Sequence, residues 1–128
     1  MDSITQQWID RADYDLDTAK AMLKAARYLY VAFACQQTVE KYLKAIIQEK
    51  TGQIPPYTHN LPSLFKFSEI NLEIEHQEYL TVLNQYYINT RYIDFKQRLL
   101  EGMNREKAKV CLQKTQEIVK CLKNELKI

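Results

Sequence analysis

Polar side chains that could contact a phosphorylated ligand recur between residues 28 and 51. Gln37, Glu40, Lys41 and Lys44 lie three or four residues apart, so a helix places them on one side. The lysines could meet phosphates, and Gln37 could hydrogen-bond a base or a ribose. The alternative is a solvated face, on which each polar pair contributes roughly a few tenths of a kcal/mol. Residue types alone favour that alternative.

Arg91 is the first candidate for a functional residue. It follows Tyr87 by one turn of a predicted helix with a mostly apolar face, and a guanidinium there could hold a phosphate through two hydrogen bonds. A salt bridge with Glu40 or with nearby Asp94 is an equal alternative. Both arrangements could hold in different states of the protein.

His59 follows two adjacent prolines and precedes a predicted helix start. It could approach an anion bound at that helix N-terminus. A histidine in such a loop more often ties the loop to a neighbouring helix through hydrogen bonds. The only other histidine, His76, has no partner suggested by the sequence. Two separate histidines without a cysteine or acid cluster at ligand spacing predict no metal site.

The elements that must position these residues are helices. Apolar periodicity and capping residues predict five of them, at about residues 4–26, 28–51, 61–69, 75–94 and 104–127. Asp2 or Ser3 should cap the first, Gly52 should end the second, and Asn60 should cap the third. The prediction is an all-α, up-and-down four-helix bundle with one additional short helix, forming a single domain over residues 1–128.

The expected core includes one apolar face of each predicted helix, among them those of the first and the fourth. The inward stripe of the first helix is Ile4, Trp8, Ala12, Leu16, Ala19 and Leu23. The inner side of the fourth helix is Tyr79, Leu80, Leu83, Tyr86, Tyr87, Thr90, Arg91 and Asp94.

The composition excludes several classes of protein. A 46% hydrophobic and 27% charged chain with two glycines indicates a compact helical protein. A net charge of +2 does not predict tight non-specific binding to nucleic acid. No apolar run is long enough to cross a bilayer, and the N-terminus lacks the features of a secretion signal. A cytoplasmic protein is expected, with its three cysteines as buried or half-buried thiols.

Several landmarks together resemble the HEPN domain family, in their order and spacing over almost the whole chain. They are Trp8, Ala12, Asp15-Leu16, Ala19, Tyr28, Ala32-Phe33, Gln36-Gln37, Glu40-Lys41, Lys44-Ala45, Thr58-His59-Asn60-Leu61 and Thr90-Arg91-Tyr92. The resemblance implies a five-helix bundle, frequent dimers and an association with nucleotides or RNA. Small prokaryotic members often look like partners of a minimal nucleotidyltransferase in toxin–antitoxin-like pairs.

The chain departs from the ribonuclease members of that family. Those carry an arginine followed, after four to six residues, by a histidine, whereas the corresponding positions after Arg91 are Lys96, Gln97 and Arg98. RNA cleavage needs groups that deprotonate the ribose 2′-OH and protonate the leaving oxygen, and histidine suits both. An ordinary lysine, with a pKa of about 10.4, is a poor base. Ile93 also stands where relatives often have proline.

The hypothesis from the sequence is a non-catalytic module that binds a nucleotide or a partner protein. It would form a homodimer, act with a minimal nucleotidyltransferase and bind ATP, another nucleotide or RNA, with no certain cofactor and no membrane partner. Arg91 and Lys44 would contact phosphate, and Glu40 would orient Arg91. The alternatives are an RNA-cleaving toxin with a divergent site and a purely structural dimer.

Overall fold

The computed structural model describes residues 1–87, 97–98 and 101–128. Five helices are delimited within these residues: α1 (Ser3–Lys24), α2 (Tyr28–Thr51), α3 (Leu61–Ser68), α4 (Ile74–Asn84) and α5 (Arg105–Leu126). Residues 97–98 and 101–102 are also helical, and the described residues contain no strand. The predicted all-α class is therefore confirmed.

α2 is the central element of the bundle. It packs against α1, α3, α4 and α5, and 16 of its 24 residues are buried. The linker from α1 to α2 is only three residues long, so the two helices form a hairpin. No helix in the described ranges combines the length and the apolar character needed to cross a membrane.

The capping residues lie where the sequence predicts them. The Asp2 side chain accepts the Ile4 N–H at 2.8 Å, and Asn60 accepts the Ser63 N–H at 2.9 Å. Gly52 ends α2 in the left-handed conformation, with φ of 68°. Asn104, predicted as the start of the fifth helix but not as its cap, accepts the Lys107 N–H at 2.9 Å and caps α5. These local signals place most helix ends within two residues of prediction.

The predicted inward stripe of α1 is wrong at Ile4, which is 44% exposed. The buried residues of α1 are Thr5, Ile9, Ala12 and Ala19. These residues are four, three and seven residues apart and so lie on one side of the helix, and in the first turn that side includes Thr5 and not Ile4.

The predicted extent of α4 is also wrong, because the helix ends at Asn84 and not at or beyond residue 94. Asn84 Oδ1 accepts the Leu61 N–H at 2.9 Å and thereby binds the N-terminus of α3. The Tyr86 N–H bonds Leu83 O, so the last turn tightens. Leu80 and Leu83 are buried as predicted. The predicted inner residues Thr90, Arg91 and Asp94 lie outside the described residues.

The predicted character of the cysteines is confirmed, since Cys35 and Cys111 are buried and Cys121 is half-buried. Cys35 of α2 meets Cys111 of α5 in the core. A hydrogen bond with Cys111, together with burial, raises the pKa of Cys35, and the same bond lowers the pKa of Cys111.

Candidate functional site

A buried carboxylate, Glu40, organises the polar side of α2. Only 3% of the residue is exposed. Its Oε2 lies 3.1 Å from Lys44 Nζ, and its Oε1 lies 3.0 Å from His59 Nδ1 and 3.3 Å from Gln36 Nε2. Gln37 Nε2 is also within 3.5 Å of Oε1. We call Gln36, Gln37, Glu40, Lys44 and His59 the Glu40 cluster. Its several donors offset the large cost of burying a charge.

Lys44 is an internal member of the cluster. It is 6% exposed, and its Nζ lies 5.4 Å from the centre of the Trp8 ring in addition to its contact with Glu40. To contact a phosphate, the ammonium group would have to leave both partners. Glu40 and Lys44 therefore form an ion pair, but the pair is buried and does not belong to the solvated face that was the alternative to a phosphate contact.

His59 is fixed by two contacts with α2. Its ring bonds Glu40, and its carbonyl oxygen accepts Gln36 Nε2 at 3.0 Å. The imidazole also stacks on Tyr87, with ring centres 4.0 Å apart and planes 14° apart. This is the expected alternative in which His59 ties the loop to a helix. A carboxylate on one ring nitrogen selects the tautomer and leaves Nε2 for other partners.

A cleft of about 420 Å³ adjoins His59, whose side chain remains 39% exposed. Its other lining residues are Thr58, Asn60, Asn84, Gln85 and Tyr87. Amide groups that donate and accept hydrogen bonds therefore surround an aromatic ring and a histidine. Such a lining can bind a polar, planar ligand.

Lys41 lies apart from this cluster, although the helix pattern groups it with Gln37, Glu40 and Lys44. Its ammonium pairs with Asp15 of α1, and both side chains are about one-fifth exposed. The hydroxyl of the neighbouring Tyr42 donates a hydrogen bond to Asp13, which also belongs to α1. These polar contacts join α1 to α2 instead of lining the cleft.

Arg91 lies outside the described residues, and so does any contact that it makes with Glu40, Asp94 or a ligand. Two residues of the described site were missed as site residues. Gln36 is fully buried and bonds both Glu40 and the His59 carbonyl. A glutamine four residues before a glutamate on a helix is the signal that could have indicated it. The sequence favours a packing role for Tyr87, on the inner side of the fourth helix, over stacking on a base, and sequence spacing cannot reveal its stacking on His59.

The described ranges contain no group of three or more histidine, cysteine or acidic side chains placed to hold a metal ion. What the cluster offers is a histidine held by a buried acid beside a cleft. Such a histidine can bind an anion when protonated or exchange a proton with a bound molecule.

Residues 5–126 of the chain match the HEPN domain model, and the chain belongs to the HEPN domain family. The structure is similar to TT1696 from Thermus thermophilus, with 25% identity, a TM-score of 0.81 and coverage of 94% of this chain and 97% of that one. It is also similar to ST0689, an archaeal HEPN homologue, with 23% identity, a TM-score of 0.76 and coverage of 94% and 96%. No curated protein sequence matches the chain.

Proposed function

We propose that this HEPN protein binds a nucleotide or RNA without cleaving it and acts as a homodimer with a minimal nucleotidyltransferase. The observation that carries the binding site is the Glu40–His59 contact at the edge of the 420 Å³ cleft. The proposal of a homodimer and of a nucleotidyltransferase partner comes from the family resemblance. The absence of histidine at the family's spacing after Arg91 supports binding without cleavage.

The proposed ligand places its base against Tyr87 and the amide groups of Asn60, Asn84 and Gln85. Aromatic rings stack on bases, and amide side chains bond their edges. Arg91 supplies positive charge to the phosphates, and His59 contacts them through the ring nitrogen that does not bond Glu40. Arg91 is included because it follows Tyr87 by four residues in the sequence. If Arg91 also contacts Glu40, the Glu40 carboxylate binds three groups, since Lys44 and His59 already contact it.

Calorimetry with ATP, GTP and short RNAs tests the site. We expect Arg91→Ala and His59→Ala each to weaken the binding of the ligand by about tenfold or more, because each removes a charge-assisted hydrogen bond. His76→Ala is the matched control, since His76 lies outside the Glu40 cluster. This variant should bind the ligand with the affinity of the wild type. Unchanged affinity in both test variants would refute the site.

The proposed partner is tested separately. The product of a neighbouring open reading frame that encodes a small nucleotidyltransferase is mixed with this protein, and the complex is sought by size-exclusion chromatography with light scattering. The expected result is a complex heavier than the homodimer. Two unchanged elution peaks at micromolar concentration would contradict the partnership and would leave nucleotide binding unaffected.

One observation favours the second candidate function, an RNA-cleaving toxin with a divergent site. A histidine oriented by a buried carboxylate has the arrangement required of a general base. This function predicts growth arrest on expression and RNA cleavage by the purified protein, both lost in His59→Ala. Intact RNA after incubation with the wild type would exclude it.

A further inference from the structure

A second cleft, of about 400 Å³, lies where the first turns of α1 meet the end of α2 and the following loop. Its apolar walls are Ile4, Trp8, Ile54 and Pro55. Ile4 is 44% exposed and Ile54 is 86% exposed. This cleft shares no lining residue with the cleft at His59, and nucleotide binding at His59 does not require it.

Gln48 places a buried, unsatisfied hydrogen-bond acceptor in the wall of this cleft. The residue is 2% exposed and lines the cleft. Its Nε2 donates to Asp2 Oδ2 at 3.2 Å, whereas its Oε1 has no partner among the described residues. Reversing the amide would bring its oxygen against the Asp2 carboxylate, so the orientation is fixed. A buried acceptor without a donor is costly, and a ligand N–H that reached it would recover that cost.

Arg11 gives the cleft a positive charge. It lines the cleft from α1 and is exposed. Within the described ranges its guanidinium makes no ion pair, unlike Lys41 and Lys44, which are paired with acids. An acidic group on a ligand is its natural partner, because a guanidinium binds a carboxylate through two hydrogen bonds.

We propose that this cleft binds a peptide segment of a partner protein, in which an apolar side chain lies beside an acidic residue. The apolar side chain packs between Ile4, Trp8 and Ile54. A backbone N–H of the segment donates to Gln48 Oε1, and the acidic side chain pairs with Arg11. A peptide satisfies all three features at once. Trp8 is the one aromatic residue among these walls, and with a single cation beside it the cleft suits a nucleotide less well.

Trp8 is the only tryptophan of the chain, so its fluorescence reports directly on this cleft. The probes are the peptide acetyl-Leu-Asp-Leu-amide, its neutral match acetyl-Leu-Asn-Leu-amide, and AMP. We expect the acidic peptide to change the emission saturably, with millimolar or tighter affinity. The neutral peptide should bind about tenfold more weakly. AMP should not compete with the acidic peptide, and any emission change that AMP causes through Lys44, which lies 5.4 Å from the Trp8 ring, should persist in Arg11→Gln.

Matched variants assign each contact. Arg11→Gln should weaken the acidic peptide about tenfold and leave the neutral peptide unchanged, whereas Lys20→Gln on the same helix should change neither. Gln48→Met should weaken the binding of both peptides. Ile54→Ser should also weaken the binding of both, and because Ile54 is exposed, this change should leave the fold intact. Circular dichroism verifies that each variant is folded.

Three results would overturn the proposal. They are no saturable change with the acidic peptide, equal affinity for that peptide in the wild type and Arg11→Gln, and a saturable response to AMP that Arg11→Gln abolishes. The last result would assign a nucleotide to this cleft. His59→Ala separates the two clefts, because it should weaken nucleotide binding without altering the response of Trp8 to the peptide.

Discussion

At the scale of single residues, the Glu40 carboxylate has two functions. It provides the counter-charge for the buried Lys44 ammonium, and it orients the His59 imidazole beside the cleft. The first function stabilises the bundle, and the second prepares a binding site. A substitution at Glu40 therefore affects stability and ligand binding together, whereas a substitution at His59 affects chiefly binding.

Glu40→Gln should lower the free energy of unfolding by about 3 to 5 kcal/mol, because it leaves the Lys44 ammonium buried without a counter-charge. Chemical denaturation measures this loss. Glu75→Gln is the control. It removes the same type of charge from an ion pair between a glutamate and a lysine, in which the glutamate side chain is 67% exposed. The free energy of unfolding should therefore change by no more than about 0.5 kcal/mol.

The double variant Glu40→Gln/Lys44→Met tests the cause of that loss. Removing the unpaired charge should restore a large part of the stability. A double variant no more stable than Glu40→Gln alone would show that hydrogen bonds to His59 and Gln36, and not the buried charge, account for the loss.

At the scale of elements, local chemistry is easier to predict than tertiary contact. Asp2, Gly52, Asn60 and Asn104 act within one turn of their own helix, so the sequence reveals the helix ends that they set. The end of α4 depends instead on Asn84 bonding a backbone group 23 residues away. Apolar spacing continues past that point and carries no signal of such a contact.

In the candidate site, too, contacts within one helix can be predicted from the sequence and contacts between elements cannot. Helical spacing correctly groups Gln37, Glu40 and Lys44, because these residues share one face of a single helix. The same spacing misplaces Lys41, since the position of Asp15 on the neighbouring helix decides where the ammonium goes. The presence of His59 at Glu40 depends on the path of the loop, which only the three-dimensional structure provides.

The two glycines provide a prediction at this scale. Gly52→Ala should lower the free energy of unfolding by about 1 to 2 kcal/mol, because Gly52 has φ of 68° and a side chain there is strained. The added Cβ meets no atom within 4 Å, so the loss is a backbone effect. Gly102→Ala is the control. Its Cβ also meets nothing, and its backbone is helical, so the change should be neutral or stabilising. Equal losses in thermal denaturation would contradict this account.

At the scale of the whole molecule, α2 is the helix on which the other elements assemble. Its attachment to α1 combines the apolar interface with two polar contacts, Lys41–Asp15 and Tyr42–Asp13. Both clefts lie against α2 or the loop that follows it, one at His59 and the other at Gln48. The packing of α2 thus maintains both proposed binding sites.

The Tyr42 contact makes the stability of the whole molecule depend on alkaline pH. Burial, followed by the hydrogen bond to Asp13 and its negative charge, raises the pKa of Tyr42 well above the ordinary 10.0. The unfolded chain therefore releases this proton at a lower pH than the folded chain. The resulting stabilisation is fully present below pH 10 and is lost progressively as the pH rises from 10 towards the pKa of the folded state.

Tyr42→Phe isolates this contribution. Near pH 8 the variant should be less stable than the wild type by about 1 kcal/mol, because it lacks the hydrogen bond to Asp13. Above pH 10 the difference should shrink by up to about 1.4 kcal/mol per pH unit, since only the wild type loses the Tyr42 contribution. Urea denaturation from pH 8 to 11 measures both curves. Tyr14→Phe, at a side chain that is 74% exposed, should stay parallel to the wild type. A Tyr42→Phe curve that also stays parallel would show that the contact with Asp13 does not couple folding to the proton of Tyr42.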